Sequence, residues 1–200
     1  MENFWDQRYS EPGFAYGQEP NAFFKEVIDG LAPGRVLLPG EGEGRNAIYA
    51  ARSGWEVSAF DQSGVAREKA LAWAENEGLS IDYQVEDLTT FTCSGPNFDL
   101  LAIIYIHLPW VLRQSIHRQL ASCLKPGGMM ILECFHKEQL LYGTGGPPVE
   151  DLLYLEEDIR EDFSALDVLQ CEKQIREIQQ GKFHNGKSSI IRLKAVKQSE

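Results

Sequence analysis

The sequence predicts an α/β fold built on a doubly wound, mostly parallel sheet. Three observations carry that prediction. A short run of buried-strand character, Val36, Leu37 and Leu38, enters three alternate glycines, Gly40, Gly42 and Gly44, and a helical segment follows at once. Apolar strands and helix-period segments then alternate along the chain, the pattern of successive βα units. One strand, F-D-L-L-A-I-I-Y-I over 98–106, is almost continuously apolar, as a central parallel strand buried on both faces has to be. The 200 residues and 43% hydrophobic content suit a single domain, 1–200, with a substantial core.

The elements follow in order. Residues 1–20 carry Phe4, Trp5, Tyr9, Phe14 and Tyr16 before any strand, and their glycines and prolines stop a helix beyond about Tyr9. This aromatic arm is either core packing or a lid. Residues 20–31 predict a helix, with Phe23, Phe24, Val27, Ile28 and Leu31 at helical spacing. After the glycine turn comes a small-residue helix, 46–52, closed by Ser53 and Gly54. The second strand leads to Asp61, and a helix over 64–77 turns Ala66, Ala70, Leu71 and Ala74 inward. The third strand, 81–86, runs into Asp87 and Leu88. The fourth ends at Tyr105, Ile106 and His107, with Asp99 at its foot as a structural residue. The helix over 109–124 is expected to pack through Val111, Leu112, Ile116 and Leu120, with His117 on the surface. L-K-P-G-G at 124–128 predicts a turn into the fifth strand, and the stretch after His136 a flexible loop. An acidic helix over 155–163 precedes the last strands, 165–178 and 188–196, with Asn185-Gly186 as a hairpin signal.

The glycine spacing separates two ligand classes. A dinucleotide turn, G-x-G-x-x-G, needs glycine where this chain has Arg45. The turn also carries Glu41 and Glu43, which compete with a pyrophosphate for the donors of a helix N-terminus. A ligand without phosphates and with positive charge suits them better. S-adenosylmethionine, with its ammonium and sulfonium, is such a ligand. Asp61 follows Gly40 at about the ~20-residue spacing of a ribose-binding carboxylate. Its alternative role is to cap the next helix, with Ser63 as a rival cap. A nicotinamide-dependent oxidoreductase and a protein that binds S-adenosylmethionine without turnover are the alternative functions.

V-L-L-P-G-E-G-E-G-R-N-A at 36–47 resembles motif I of the class I S-adenosylmethionine-dependent methyltransferases. It departs from the commonest form at Leu38, two before the first glycine, where an acidic residue usually sits. L-K-P-G-G before the fifth strand is a second resemblance. The family implies a three-layer α/β/α sandwich of seven strands with an antiparallel last strand, residues 1–34 covering the cofactor crevice, and methyl transfer to a small molecule. It implies cofactor contacts at Tyr16, Gly17, Gly40, Glu41, Gly42, Asn46, Asp61, Gln62, Ser63, Asp87, Leu88 and Tyr105. Asp87 would bond the adenine amino group and Leu88 pack on the ring; the alternative is a turn aspartate before Thr89. Within the family, the W-D-x-R-Y arm, the H-L-P after the fourth strand and His184 before the last strand resemble the small tellurite-resistance type. Asn185 stands where that subgroup is expected to place arginine, so oxyanion, thiol and neutral acceptors all stay open.

Methyl transfer from a sulfonium is an in-line displacement in which the protein aligns nucleophile and methyl carbon and excludes water. A base is needed only when the nucleophile must lose a proton. His107 and His184 are the candidates, with His136 third. No histidine pair has metal-ligand spacing with a carboxylate, so no metal is expected. Cys93, Cys123, Cys134 and Cys171 lack C-x-x-C spacing and read as buried free thiols. The net charge of −11 argues against a nucleic-acid partner. With no bilayer-length apolar run and no charged-then-apolar leader, a cytoplasmic protein without membrane contact is expected. Oligomeric state is left open.

Overall fold

A computed structural model describes residues 4–199. Its helices are α1 (Phe4–Ser10), α2 (Ala22–Ile28), α3 (Arg45–Arg52), α4 (Gly64–Asn76), α5 (Trp110–Ser122) and α6 (Glu156–Asp162). Its strands are β1 (Arg35–Pro39), β2 (Glu56–Asp61), β3 (Asp82–Val85), β4 (Phe98–Ile104), β5 (Leu124–Phe135), β6 (Asp167–Gln180) and β7 (His184–Val196). They form one seven-stranded sheet in the order β3-β2-β1-β4-β5-β7-β6. The β1–β2, β2–β3 and β4–β5 pairs are parallel and β5–β7 is antiparallel. This is the mostly parallel, doubly wound sheet with an antiparallel last strand that the sequence predicts. The described chain divides into two compact units: residues up to Phe91 together with Gln180–Lys182, and Thr92–Gln179 together with the residues from Phe183 onward.

In the first unit, α3 packs on β1 and β2, α4 on β2 and β3, and α1 against α4. The Asn21 side chain starts α2 by accepting from the N–H groups of Phe23 and Phe24, so Pro20 lies before the helix rather than in its first turn. α3 starts without a side-chain cap from its N-cap residue, Gly44, which sits at φ 92°. A Cβ there would lie 2.7 Å from the Ala70 Cβ, so glycine lets α3 and α4 approach closely. Ser63 caps α4 by accepting from the Ala66 N–H at 3.1 Å. The buried face of α4 is Ala66, Ala70, Trp73 and Ala74; Leu71, expected inward, is only half-buried.

In the second unit, β4 and β5 align Leu101 with Met130 and Ile103 with Leu132, and β7 returns with Leu193 opposite Leu132. β5 begins at Leu124, but its pairing with β4 jumps from Leu124 opposite Phe98 to Met129 opposite Leu100, and Gly127 has φ 77°, so L-K-P-G-G turns out of the ladder at the start of the strand. Asp99 pairs with Lys125 of that segment at 2.8 Å, a structural role as expected. Two expectations for α5 are corrected. Val111 and Leu112 are exposed, and His117 is fully buried. The inward face is Arg113, Ile116, His117 and Leu120, a helical stripe in which two polar residues point inward because Asp162 receives both. The stretch after His136 is not a featureless loop. Lys137–Leu141 forms a 3₁₀ turn, and buried Gln139 donates to the Thr144 Oγ1 and the Gly145 carbonyl at 3.0 Å while accepting from the Ser189 N–H at 2.8 Å. β7 starts at His184 rather than 188, so the hairpin turns at 181–183 and Asn185-Gly186 lies within the strand.

Candidate cofactor crook and histidine cluster

The glycine turn and Asp61 meet. The Gly42 N–H donates to Asp61 Oδ2 at 3.0 Å, and the Ser63 N–H donates to Oδ1 at 2.9 Å. Asp61 ends β2 and is buried. Ser63 is the helix cap, so Asp61 is not needed for capping. Burial pushes the Asp61 carboxyl above its usual range, although the Ser63 and Gly42 amides pull the other way. Gly40 and Gly42 both have positive φ, 57° and 65°. A Cβ on Gly42 would come within 2.7 Å of the Tyr9 hydroxyl, and the Gly42 carbonyl accepts from the Tyr83 hydroxyl at 2.5 Å.

Glu41 supplies the cap that Gly44 lacks. Its Oε1 accepts from the N–H groups of Asn46 and Ala47 at 2.7 and 2.8 Å, and its Oε2 from Asn46 Nδ2 at 3.2 Å. These are the donors with which a helix N-terminus would otherwise bind a phosphate. The carboxylate therefore fills the anion site from within. Burial still dominates and pushes the Glu41 carboxyl up to about 7, against the pull of those bonds.

The remaining predicted residues divide between scaffold and open surface. Asn46 Oδ1 accepts from the Asn21 N–H at 2.9 Å, which ties α3 to the start of α2. Ser63 donates its hydroxyl to Asp6 Oδ1 at 2.5 Å while capping α4. Gln62 and Asp87 are exposed, and Leu88 is half-buried. The Asp87 side chain accepts from the Thr89 N–H and hydroxyl at 2.7 and 2.6 Å, which hold its carboxyl below the usual range. In the chain alone, Asp87 thus makes the turn that was the alternative reading. Tyr16 accepts from Arg8 at 3.3 Å, and Gly17 has φ 76°. Sequence reasoning named Tyr9 only within the aromatic arm, and Glu43 and Arg45 only as departures from a dinucleotide turn; it gave none of the three a contact in this site.

In the second unit, Tyr105 follows β4 with φ 54°, a left-handed conformation uncommon for a bulky residue and typical of functional positions. Its ring stacks on Phe135 at 4.8 Å, and the His184 ring meets both, at 4.8 and 5.1 Å. His107 stacks on Phe135 at 5.6 Å. Its Nδ1 donates to the Leu152 carbonyl at 2.7 Å, which leaves Nε2 to accept from the Phe135 N–H at 3.4 Å. Burial pushes His107 down to about 4, so it is neutral near pH 7 with both nitrogens engaged. His136 caps the 3₁₀ turn by accepting from the Glu138 N–H at 3.0 Å. Tyr154, which sequence reasoning missed, grips the segment after β4: its hydroxyl accepts from the Leu108 N–H and donates to the Leu108 carbonyl at 3.2 Å. Among the described residues, no group of three His, Cys, Asp or Glu is placed to hold a metal ion.

Residues 36–128, which contain the crook and Asp61, match the family described as "Methyltransferase domain". That match covers just under half of the chain and supports the class I S-adenosylmethionine-dependent methyltransferase reading of the glycine motif. A similar curated methyltransferase is the ubiquinone biosynthesis O-methyltransferase of Actinobacillus pleuropneumoniae serotype 5b (strain L20), 28% identical over 127 residues that cover 60% of this chain and 53% of the relative. The chain spans about half the length of the curated relatives it matches. Among solved structures, TehB from Haemophilus influenzae superposes with a TM-score of 0.74 at 17% identity, over 98% of this chain and 67% of that one. The magnesium protoporphyrin IX methyltransferase (ChlM) of Synechocystis PCC 6803, with bound SAM, superposes at 0.65 with 20% identity, over 88% and 78% of the two chains. At these identities the likeness to solved structures is one of fold. The cofactor of this methyltransferase family is S-adenosylmethionine.

Proposed function

We propose that this methyltransferase transfers the methyl group of S-adenosylmethionine to a small molecule by in-line displacement. The observation that carries the reading is the joint between Gly42 and Asp61, with Glu41 closing the helix N-terminus to phosphate. Gly40 and Gly42 offer backbone without a Cβ, and Asp61, already desolvated, is the ribose ligand. Gln62, Asp87, Leu88, Tyr16 and Gly17 are the further cofactor contacts, whereas Asn46 and Ser63 hold the scaffold that presents them. The bound cofactor supplies an activated methyl electrophile; the protein supplies alignment and dryness.

On the acceptor side, His184 is the better base candidate. A base works best with a pKa near the working pH, and His107 lies well below it. Because relatives carry the name O-methyltransferase, a hydroxyl-bearing acceptor joins thiols and oxyanions as a class to assay. The net charge of −11 makes nucleic acid a poor acceptor. No described helix is long and apolar enough to cross a membrane, and we place the protein in the cytoplasm.

Thermal unfolding with and without ligand tests the reading. S-adenosylhomocysteine should raise the melting temperature and NAD should not. Stabilisation by NAD alone would replace the methyltransferase reading with an oxidoreductase one. Cofactor binding without methyl loss across hydroxyl, thiol and oxyanion acceptors would leave a binding protein.

A further inference from the structure

We infer that Glu43 and Arg45, within the glycine motif, are positioning residues: they hold the strip of residues 15–17 against the crook as one wall of the cofactor site. The inference rests on the proposed identity of that site.

Residues 15–17 lie in no helix or strand, yet their polar groups are tied to distant partners. The Ala15 N–H donates to Glu43 Oε2 at 2.6 Å. The Tyr16 carbonyl accepts from Arg45 Nη1 at 3.2 Å. The Ala15 carbonyl accepts from the Lys182 N–H at 2.9 Å, in the turn between β6 and β7. Gly181 of that turn sits so close that a Cβ on it would fall on the Ala15 carbonyl and the Tyr16 backbone. Lys69 completes the clamp. Its ammonium pairs with Glu43 Oε1 at 2.7 Å and also donates to the carbonyls of Glu11 and Gly13 at 3.1 and 2.8 Å. Glu43 and Arg45 are both buried, so neither is a solvated surface charge.

This explains the motif's composition. A glycine turn that only cradled a ligand would have no use for a buried Glu43 and a buried Arg45. Here the two charges are spent on a coil segment, and hydrogen bonds to charged groups are the stronger kind. The same segment carries Tyr16 and Gly17. Tyr9 from the same arm already lies on Gly42, so the arm and the crook are in contact. Loosening the strip should therefore open the site without altering Gly42 or Asp61.

The test measures S-adenosylhomocysteine binding and release by calorimetry and stopped flow. Glu43→Gln and Arg45→Met should each weaken affinity about tenfold or more, chiefly through faster release, by the usual strength of a charged hydrogen bond. Arg45→Lys should restore most of the affinity. Gly181→Ala, which pushes on the strip from the opposite side, should reproduce the defect and supports the test if Glu43→Gln fails to fold. Chymotrypsin provides the readout that a merely structural role would leave unchanged. The ligand should slow cleavage after Phe14 and Tyr16 in the wild type and lose that effect in the variants. Wild-type affinity and protection in the variants would overturn the inference, as would weaker binding with undiminished protection. No binding by the wild type would instead overturn the cofactor reading itself.

Discussion

Glu41→Gln gives a direct electrostatic test of the crook. The carboxyl is buried and its pKa rises from 4.5 to about 7. A group held more tightly protonated in the folded state stabilises the protein below its unfolded pKa and loses that contribution as pH rises through the folded value. Two and a half units at ~1.4 kcal/mol per unit come to about 3.5 kcal/mol, lost as pH rises from about 4.5 through about 7. The glutamine amide cannot ionise, and its oxygen still reaches the Asn46 and Ala47 amides. Urea unfolding of both proteins from pH 5 to pH 8 is the assay. His107 titrates with the opposite sign in part of this window, but it is common to both proteins and cancels in the difference. The wild type should lose ground to Glu41→Gln by up to about 3 kcal/mol as pH rises. Parallel profiles, or a wild type that gains with pH, would show that the helix N-terminus outweighs burial and that the reasoning is wrong.

Asp162→Ala should cost about 3–5 kcal/mol, because it leaves buried Arg113 without the carboxylate that now lies 2.6 Å away; urea unfolding reads it. Gly42→Ala forces a Cβ to within 2.7 Å of the Tyr9 hydroxyl at φ 65°, so it should destabilise by roughly 1–3 kcal/mol and alter the fluorescence of Trp5, which stacks on Tyr9; an unchanged spectrum would show the arm off the crook. For His107, the folded pKa of about 4 lies below the ordinary 6.5, so its contribution is complete above pH 6.5 and is lost as pH falls toward 4. His107→Gln should flatten that acid limb in the same unfolding experiment, and an unchanged limb would show that this histidine is not buried neutral.

The sheet was legible because its strands are apolar runs of the right length, and the turn because three alternate glycines admit few other uses. Asp61 was legible from spacing alone, since β2 has to climb back to the level at which β1 ends; the Leu38–Ala59 register sets that height. What was not legible depends on partners far along the chain. His117 and Arg113 look like surface residues until Asp162, more than forty positions later, turns up beneath them. With those two inward, Val111 and Leu112 are rotated outward despite their hydrophobicity. Gln139 is similar: a polar residue in a glycine-rich stretch becomes a buried tie because Thr144 and Ser189 meet it. Glu43 and Arg45 were visible only as oddities of the motif. Their partners, Ala15 and Tyr16, use backbone atoms, which leave no trace in side-chain identity.

On the proposed reading, a glycine crook joined to Asp61 holds S-adenosylmethionine. Titration calorimetry of S-adenosylhomocysteine into the wild type and Asp61→Ala tests it most directly. One site per chain is expected in the wild type, with a loss of roughly tenfold or more in the variant, the usual worth of a hydrogen bond to a charged group. Equal affinity in both proteins, or no heat of binding in the wild type, would contradict it.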